Sequence, residues 1–453
     1  MLILAYRAFT VLFVIIYESK KYSMSVCNFS LYKKVLYMYC RDVIITSEKN
    51  RYDTMKKNKI IVIGGGYAGL RAIEKLAKDP QNEITLFDKQ SYHFMQTDVY
   101  DLIANEDDFA QVSVDLFTFC LGFDGNVAFI KEGVMQVDFE HKKVITNTQR
   151  YHYDQLIIAV GARTKYVESV KGLRTHAHGI KVLHRAMYFK QKFEMALYKK
   201  VQLSGTTCHP MNIVVAGGGL SGVEIAAQMA SFANEFYKKN NFMCRKLNII
   251  LINSGAQILK GLDATLVQKS DKKLQKLGVR ICHNAKVTEI TEEKVCLSTG
   301  ETLPIDFMIF AGGNEPNALV HELDLEKNEK GYLATNEYLQ VPKYPEVFAI
   351  GDCTTIYNGE VVVSPTADVA EQMAEHCAKN IQNLLQNKEL LPHKIKSRGI
   401  LIALGRRYAV GRIFGVYIGG YFAFITKKIV EKLYAKMLDR RSHLGCRKIF
   451  EQK

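Results

Sequence analysis

No two of the ten cysteines stand at Cys-x-x-Cys or Cys-x4-Cys spacing. Neither a zinc site nor a local redox disulfide therefore has a signature, and no metal is expected. Settings such as those of Cys282 and Cys377 read as reduced, packed thiols of a reducing compartment. The chain also lacks any apolar run of the ~20 residues that a membrane span requires. Residues 2–17 are broken by Arg7, and residues 413–426 number 14. No small-residue cleavage site follows Tyr17, which argues against a signal peptide. No aromatic-basic RNA motif is present, so nucleic acid is not expected as a partner.

The 453 residues suffice for two or three domains. With 48% hydrophobic and 24% charged residues, neither wholesale disorder nor a polytopic membrane protein is indicated. The net charge of +15 is unevenly placed: residues 391–453 carry 15 Lys/Arg against 3 Asp/Glu, and residues 1–54 carry 8 against 4. The 336 residues between them are, by difference, at −1. The body is neutral and the tail basic. Residues 1–54 read as a poorly ordered or non-native extension, with a membrane-attaching leader as the alternative.

Two stretches carry the chemistry. Residues 59–63, Lys-Ile-Ile-Val-Ile, form a buried-strand pattern that runs straight into Gly64-Gly65-Gly66-Tyr67-Ala68-Gly69 and then a helical pattern over 70–76. Gly64 suits the tight turn, Gly66 lets a pyrophosphate approach the backbone, and Gly69 lets helix and strand pack closely. The helix N-terminus offers free N–H groups to the phosphates. A second strand over 83–87 ends in Asp88, 19 residues after Gly69, placed to accept hydrogen bonds from a ribose diol. The pattern recurs about 150 residues on: strand 212–216, Gly217-Gly218-Gly219-Leu220-Ser221-Gly222, a helix, and strand 247–252 ending in Asn253. One Rossmann crevice holds one dinucleotide, so two fingerprints imply two, with electron transfer between them as the natural use.

This layout resembles the two-dinucleotide flavoproteins that include glutathione reductase. The resemblance implies an α/β fold of two Rossmann-like domains, the first for FAD and the second inserted in it for NAD(P)H. Residues 153–161, Tyr-Asp-Gln-Leu-Ile-Ile-Ala-Val-Gly, are similar to the turn between the domains, and 308–313, Met-Ile-Phe-Ala-Gly-Gly, to the returning segment. Residues 347–352, Val-Phe-Ala-Ile-Gly-Asp, resemble the second flavin signature. Within that group the likeness is to type II NADH dehydrogenase, the single-subunit NADH:quinone oxidoreductase. Residues 88–96, Pro365-Thr366-Ala367-Asp368 through Gln372, and the strand from Arg398-Gly399 carry that likeness, which spans about residues 57–440. It extends the cofactor contacts to Tyr67, Ala68, Lys89, Gly161, Gly351, Asp352, Ala367 and Gly313.

The same resemblance implies roles for three further residues. Glu224 would lie near the nicotinamide and flavin rings, to orient NAD(P)H or relay a proton; it also reads as a helix-start acid favoured by the dipole. Gln372 would lie by the flavin or quinone. Arg398 would stabilise negative charge on reduced flavin or quinol, or face phospholipid. His93 reads equally as a site residue or a satisfied structural histidine, and Cys353 as a small packed residue. Three departures stand out. Asn253 replaces the usual acid, keeping a hydrogen bond to ribose but losing the repulsion of a 2′-phosphate, so NADPH stays open beside NADH. Asp368 replaces a glutamine, and Thr97-Asp98 a Pro-Leu pair near the flavin.

The tail adds a helical pattern over 427–441. Ile429, Val430, Leu433, Met437 and Leu438 lie on one side, and Lys428, Lys432, Lys436, Arg440 and Arg441 on the other. It reads as a helix lying in an anionic lipid surface, with core packing or a homodimer interface as alternatives.

The expected domains are an FAD part over 55–163 and 302–390, an NAD(P)H part over 164–301, and a basic amphipathic membrane-associating tail over 391–453. The expected activity is hydride transfer from NADH or NADPH to flavin and two electrons onward to a membrane quinone, without proton pumping. The place is peripheral, on the cytoplasmic face of the cell membrane. Rivals are a sulfide:quinone oxidoreductase, which needs cysteines near the flavin (Cys120, Cys208 or Cys353), a soluble flavoprotein reductase, and a non-catalytic redox sensor.

Overall fold

Near-continuous apolar runs make strands that are covered on both faces. Asn58–Ile63 buries its last four residues and sits inside a six-stranded sheet. The order is Gln340–Val341, Tyr344–Ala349, Gln155–Ile158, Asn58–Ile63, Asn82–Phe87 and Val127–Ile130. Every neighbouring pair is parallel except the first. In this computed structural model the described residues are 57–202, 210–240, 247–358, 361–396 and 398–451, and the extension read over 1–54 lies outside them.

A second, five-stranded sheet is parallel throughout: Ala177–His178, Phe307–Phe310, Met211–Ala216, Leu247–Ile252 and Arg280–Cys282. Its strands fall between Ala162–Thr164 and Asn314–Pro316, which pair antiparallel. The chain thus leaves the first sheet and returns to it through one two-stranded ribbon. Helix Tyr67–Leu76 covers the first sheet with helix Ala367–Leu385, sharing a core of Leu70, Ile73, Met373, Cys377 and Ile381. Helix Leu220–Asn240 buries Val223, Ala226, Ala227 and Met229 in the core of the second sheet.

The tail is an antiparallel meander, Gly399–Ala403, Ala409–Ile413 and Val416–Gly420, followed by helix Tyr421–Glu451. The aromatic-rich run over 413–426 is therefore split between strands and the helix start. The facing of the helix corrects the sequence reading. Leu438 is fully buried and Met437 packs on the first core, whereas Phe422, Ile429, Val430 and Leu433 are exposed. Lys428 turns inward to Asp101 (2.6 Å), and the Arg441 guanidinium lies over Phe123 and donates to Gly122 O. Positions 427, 431, 434, 438, 441 and 445 form one inward seam at helical spacing: Lys, Glu and Tyr at its start, then Leu438, Arg441 and Gly445. Counting apolar residues alone does not find that seam.

Where the seam ends, two backbones touch. A Cβ on Gly445 would stand 1.9 Å from Thr118 O, and one on Gly122 would stand 2.0 Å from Arg441 O. Helix Leu116–Leu121 and the C-terminal helix thus cross at a distance that only glycines allow. Gly445→Val is expected to lower stability by about 1–3 kcal/mol, the usual cost of overpacking. A fall in the urea midpoint tests this; an unchanged midpoint would show that the helix end is not docked.

Candidate functional site

The first glycine turn divides its labour as the spacing requires. At Gly64 the backbone is left-handed, φ +110°, and a Cβ would meet Ala159 O at 2.4 Å. One on Gly69 would lie 1.9 Å from Gly64 O. At Gly66 no described atom lies within 4 Å of where a Cβ would stand, so the turn opens on free space at a helix N-terminus that no side chain caps. This cradle fits a pyrophosphate. Asp88 closes the turn from the next strand: Oδ2 accepts from Gly65 N (2.7 Å) and Oδ1 from Gln90 N (2.8 Å). Burial pushes its carboxyl up, against those hydrogen bonds. Lys89 is exposed beside it.

Around this turn the structure gathers most of the other first-site residues. Gly351, at φ +73°, lies against the Ala68 methyl, 3.3 Å from its would-be Cβ, with the Ala370 methyl at 3.9 Å. Helix Ala367–Leu385 therefore starts close to the start of Tyr67–Leu76, capped by Thr366, which accepts from Val369 N (3.3 Å). Asp352 is largely buried, and burial raises its carboxyl against the pull of Lys181. Gly161, at φ +66°, opens on free space as Gly66 does.

Tyr67 bonds Thr97 (2.9 Å), stacks on Tyr434 of the C-terminal helix (5.0 Å), and meets His93 edge-on (4.9 Å). Burial lowers the His93 imidazole to about 4. It is thus a neutral ring whose Nδ1–H donates to Gly65 O (2.9 Å) and whose Nε2 accepts from the Tyr434 hydroxyl (3.1 Å). Both nitrogens are satisfied, and the ring braces the turn against the C-terminal helix.

The second turn repeats the geometry. A Cβ on Gly217 (φ +126°) would meet Ala311 O at 2.4 Å, one on Gly222 would meet Gly217 O at 1.8 Å, and Gly219 faces free space. Gly313, at φ +139°, is likewise open. Asn253 is buried, and its Nδ2 donates to Gly255 O (2.8 Å). Its Oδ1 lies 2.3 Å from a would-be Cβ on Gly218, so only glycine fits beside it.

Glu224, Gln372 and Arg398 do not form one constellation. Gln372 and Arg398 meet through Asp368: Gln372 Nε2 donates to Asp368 Oδ2 (2.8 Å), and Arg398 Nη1 pairs with Asp368 Oδ1 (3.1 Å). Gln372 also grips Lys396 by both backbone groups, accepting from its N (2.9 Å) and donating to its O (3.1 Å). Glu224 sits instead against the tail, accepting from Ala403 N (3.0 Å) and pairing with Lys427 (3.3 Å). Burial raises its carboxyl, and Lys427 works against the rise. Lys427, Glu431 and Tyr434 escaped the sequence reading. Their signal is a polar i, i+4, i+7 stripe along one helix.

Comparison with known proteins agrees with this geometry. Residues 58–374 match the sequence profile of the family described as pyridine nucleotide-disulphide oxidoreductase. Demethylphylloquinone reductase NdbB of Synechocystis is 28% identical over 394 residues, covering 83% of this chain and 92% of its own. The type II NADH:quinone oxidoreductase of Staphylococcus aureus is 28% identical over 389 residues, covering 83% and 94%. The structure of NDH2 from Plasmodium falciparum in complex with NADH superposes with a TM-score of 0.74 at 19% identity, over 86% of this chain and 96% of that one. The sulfide:quinone oxidoreductase of Aquifex aeolicus gives 0.72 at 22% identity, over 85% and 92%. These two structures share the fold.

The two cradles are separable by substitution, because a Cβ at Gly66 or Gly219 would meet no described atom within 4 Å and would project into the cradle. Gly66→Val is expected to fold, by circular dichroism, yet to purify without flavin colour. Gly219→Val is expected to keep the flavin and lose NADH binding. Loss of flavin from both would contradict the division between the turns.

Proposed function

The chain belongs to the pyridine nucleotide-disulphide oxidoreductase family, and from that premise we propose that it is an FAD-dependent NAD(P)H:quinone oxidoreductase of the type II NADH dehydrogenase kind. One observation carries the reading: two glycine turns of the same construction, each opening on free space at a helix start, in one polypeptide. The relatives named for NADH:quinone and demethylphylloquinone chemistry support the choice of acceptor.

FAD supplies a two-electron relay that no side chain provides. On this reading Gly64, Gly66, Tyr67, Ala68, Gly69, Asp88, Lys89, Gly161, Gly351, Asp352 and Ala367 hold it. Gly217, Gly219, Gly222, Asn253 and Gly313 hold the nicotinamide dinucleotide. The protein contributes alignment and exclusion of water. Glu224 orients the nicotinamide end, while Gln372 and Arg398 border the acceptor end, Gln372 fixing the backbone at Lys396. With an amide at Asn253, no carboxylate repels a 2′-phosphate, so both nicotinamides serve.

Cysteine chemistry is the rival, and the two described candidates do not suit it. Cys353 is fully buried and donates to Ile158 O and Ile350 O, and burial pushes its thiol up to about 12. Cys120 is buried with its thiol raised for the same reason. A thiol so held is a poor nucleophile. Cys208 lies outside the described residues.

The acceptor is reached from lipid. Among the described residues no helix is long and apolar enough to cross a membrane. Phe414, Phe422, Ile429, Val430 and Leu433 are nonetheless all exposed. Each would contribute about 1.5–3 kcal/mol if buried in the acyl boundary, with Lys and Arg of the basic tail toward the headgroups. On this reading the protein is peripheral, on the anionic cytoplasmic surface of the cell membrane.

Purified protein is expected to be yellow, to bleach anaerobically with NADH and also with NADPH, and to recover its colour when a quinone analogue is added. Failure to bleach with either nicotinamide removes the enzymatic reading. Phe422→Ser with Leu433→Ser is expected to weaken co-sedimentation with anionic vesicles at least about tenfold, given the apolar area lost. Unchanged co-sedimentation would place lipid contact elsewhere.

A further inference from the structure

Four carboxyl groups and two ammonium groups meet between the second glycine helix and the tail, and a further carboxyl, Asp107, stands 3.8 Å from Lys428 at the edge of the cluster. Lys427 pairs with Glu224 (3.3 Å) and Glu431 (3.2 Å). Lys428 pairs with Glu431 (3.0 Å) and Asp101 (2.6 Å), and Asp101 also accepts from Gln228 (2.7 Å). The fourth carboxyl, Asp98, is 7% exposed, and its Oδ1 is buried without a hydrogen-bond partner. Four charges against two, sheltered from water, cannot all be carried; a buried acid in that position keeps its proton.

Asp98 is the acid with least to hold it ionised. Glu431, Lys427 and Lys428 face it from the C-terminal helix, Asp101 and Tyr100 from helix Val99–Ile103, and Tyr67 from the first glycine helix. Burial and then Glu431 raise its carboxyl, outweighing both lysines. Its position also matters. Neighbouring Thr97 bonds the Tyr67 hydroxyl beside the first cradle, while the helix that supplies Glu431 turns its apolar side outward. Asp98 thus lies between the turn assigned to FAD and the face assigned to lipid.

The reaction needs such a group. NADH oxidised to NAD+ gives up two electrons and one proton, whereas a quinone becoming quinol takes two electrons and two protons. One proton per turnover must come from water by way of the protein. We infer that Asp98 stores that proton as a carboxylic acid and releases it toward the acceptor. The Asp98 O–H bond breaks as a quinol O–H bond forms, and water reprotonates the carboxylate before the next turnover. This rests on the quinone reading above.

The test uses full-length flavin-loaded protein. Infrared spectra at neutral pH are expected to show carbonyl stretches of protonated carboxylic acids, of which Asp98→Asn removes one component, the one that fades as pH rises through about 8. In stopped flow, reoxidation of NADH-bleached wild type by a quinone analogue is expected to slow over the same pH range, because an ionised acid has no proton to give. Asp98→Asn is expected to be several-fold slower at neutral pH and to lose that slope, and Asp98→Glu to restore it. Should Asp98→Asn lose its flavin, Asp98→Leu fills the same space and gives the same readouts. An infrared spectrum that is identical in variant and wild type, or a retained wild-type slope, overturns the inference. Wild type that does not bleach overturns the quinone reading instead, and leaves the infrared result standing as the test of Asp98.

Discussion

Backbone contact at four glycines governs this molecule. Gly64 and Gly69 in the first turn, and Gly217 and Gly222 in the second, bring strand and helix so close that a single methyl group would collide with a carbonyl oxygen. That closeness aims each helix N-terminus past its sheet edge and leaves the intervening Gly66 and Gly219 facing empty space. Asp88 and Asn253 take their places from the same geometry, since each extends a strand that pairs in register with the strand before its turn. A protein built twice on this constraint has two phosphate cradles by construction.

The C-terminal helix adds a second, electrostatic constraint. Its first turns point lysines and a glutamate inward and apolar residues outward, the reverse of an ordinary surface helix. Burying Lys427 and Lys428 is tolerable only because Glu224, Glu431 and Asp101 meet them; an unpaired buried charge would cost several kcal/mol. The pairing therefore decides the helix's rotation, and that rotation is what leaves Phe422, Ile429, Val430 and Leu433 in solvent. Tyr434 carries the same helix to Tyr67 and His93 at the first turn. The second glycine helix, the first glycine turn and the exposed apolar face are joined through one element.

Local patterns in the sequence expose the parts of this that are local. Strand, glycines, helix and terminal acid lie within 30 residues of one another, and each was readable from spacing alone. The ionic cluster was not: Asp101, Glu224 and Lys427 are separated by more than a hundred residues at each step, so nothing in a window around Lys427 marks it as buried. A stripe of lysines at helical spacing reads as a solvated face unless the distant carboxylates are known. Resemblance points to Gln372 and Arg398, and to Asp368 as an added charge, but the bridge that Asp368 makes between the two is visible only in the structure. His93 shows the converse case: its partners, Gly65 O and the Tyr434 hydroxyl, lie 28 and 341 residues away and no local pattern names them.

The central claim is that two different dinucleotides occupy one chain together, each at its own glycine turn. Calorimetric titration of a nonreducible nicotinamide dinucleotide into the flavin-loaded protein tests it most directly. Saturation at one nicotinamide per chain with the flavin fully retained is the result that two independent cradles require. Displacement of flavin by the nicotinamide, or no binding while flavin is present, would mean a single shared site and would contradict it.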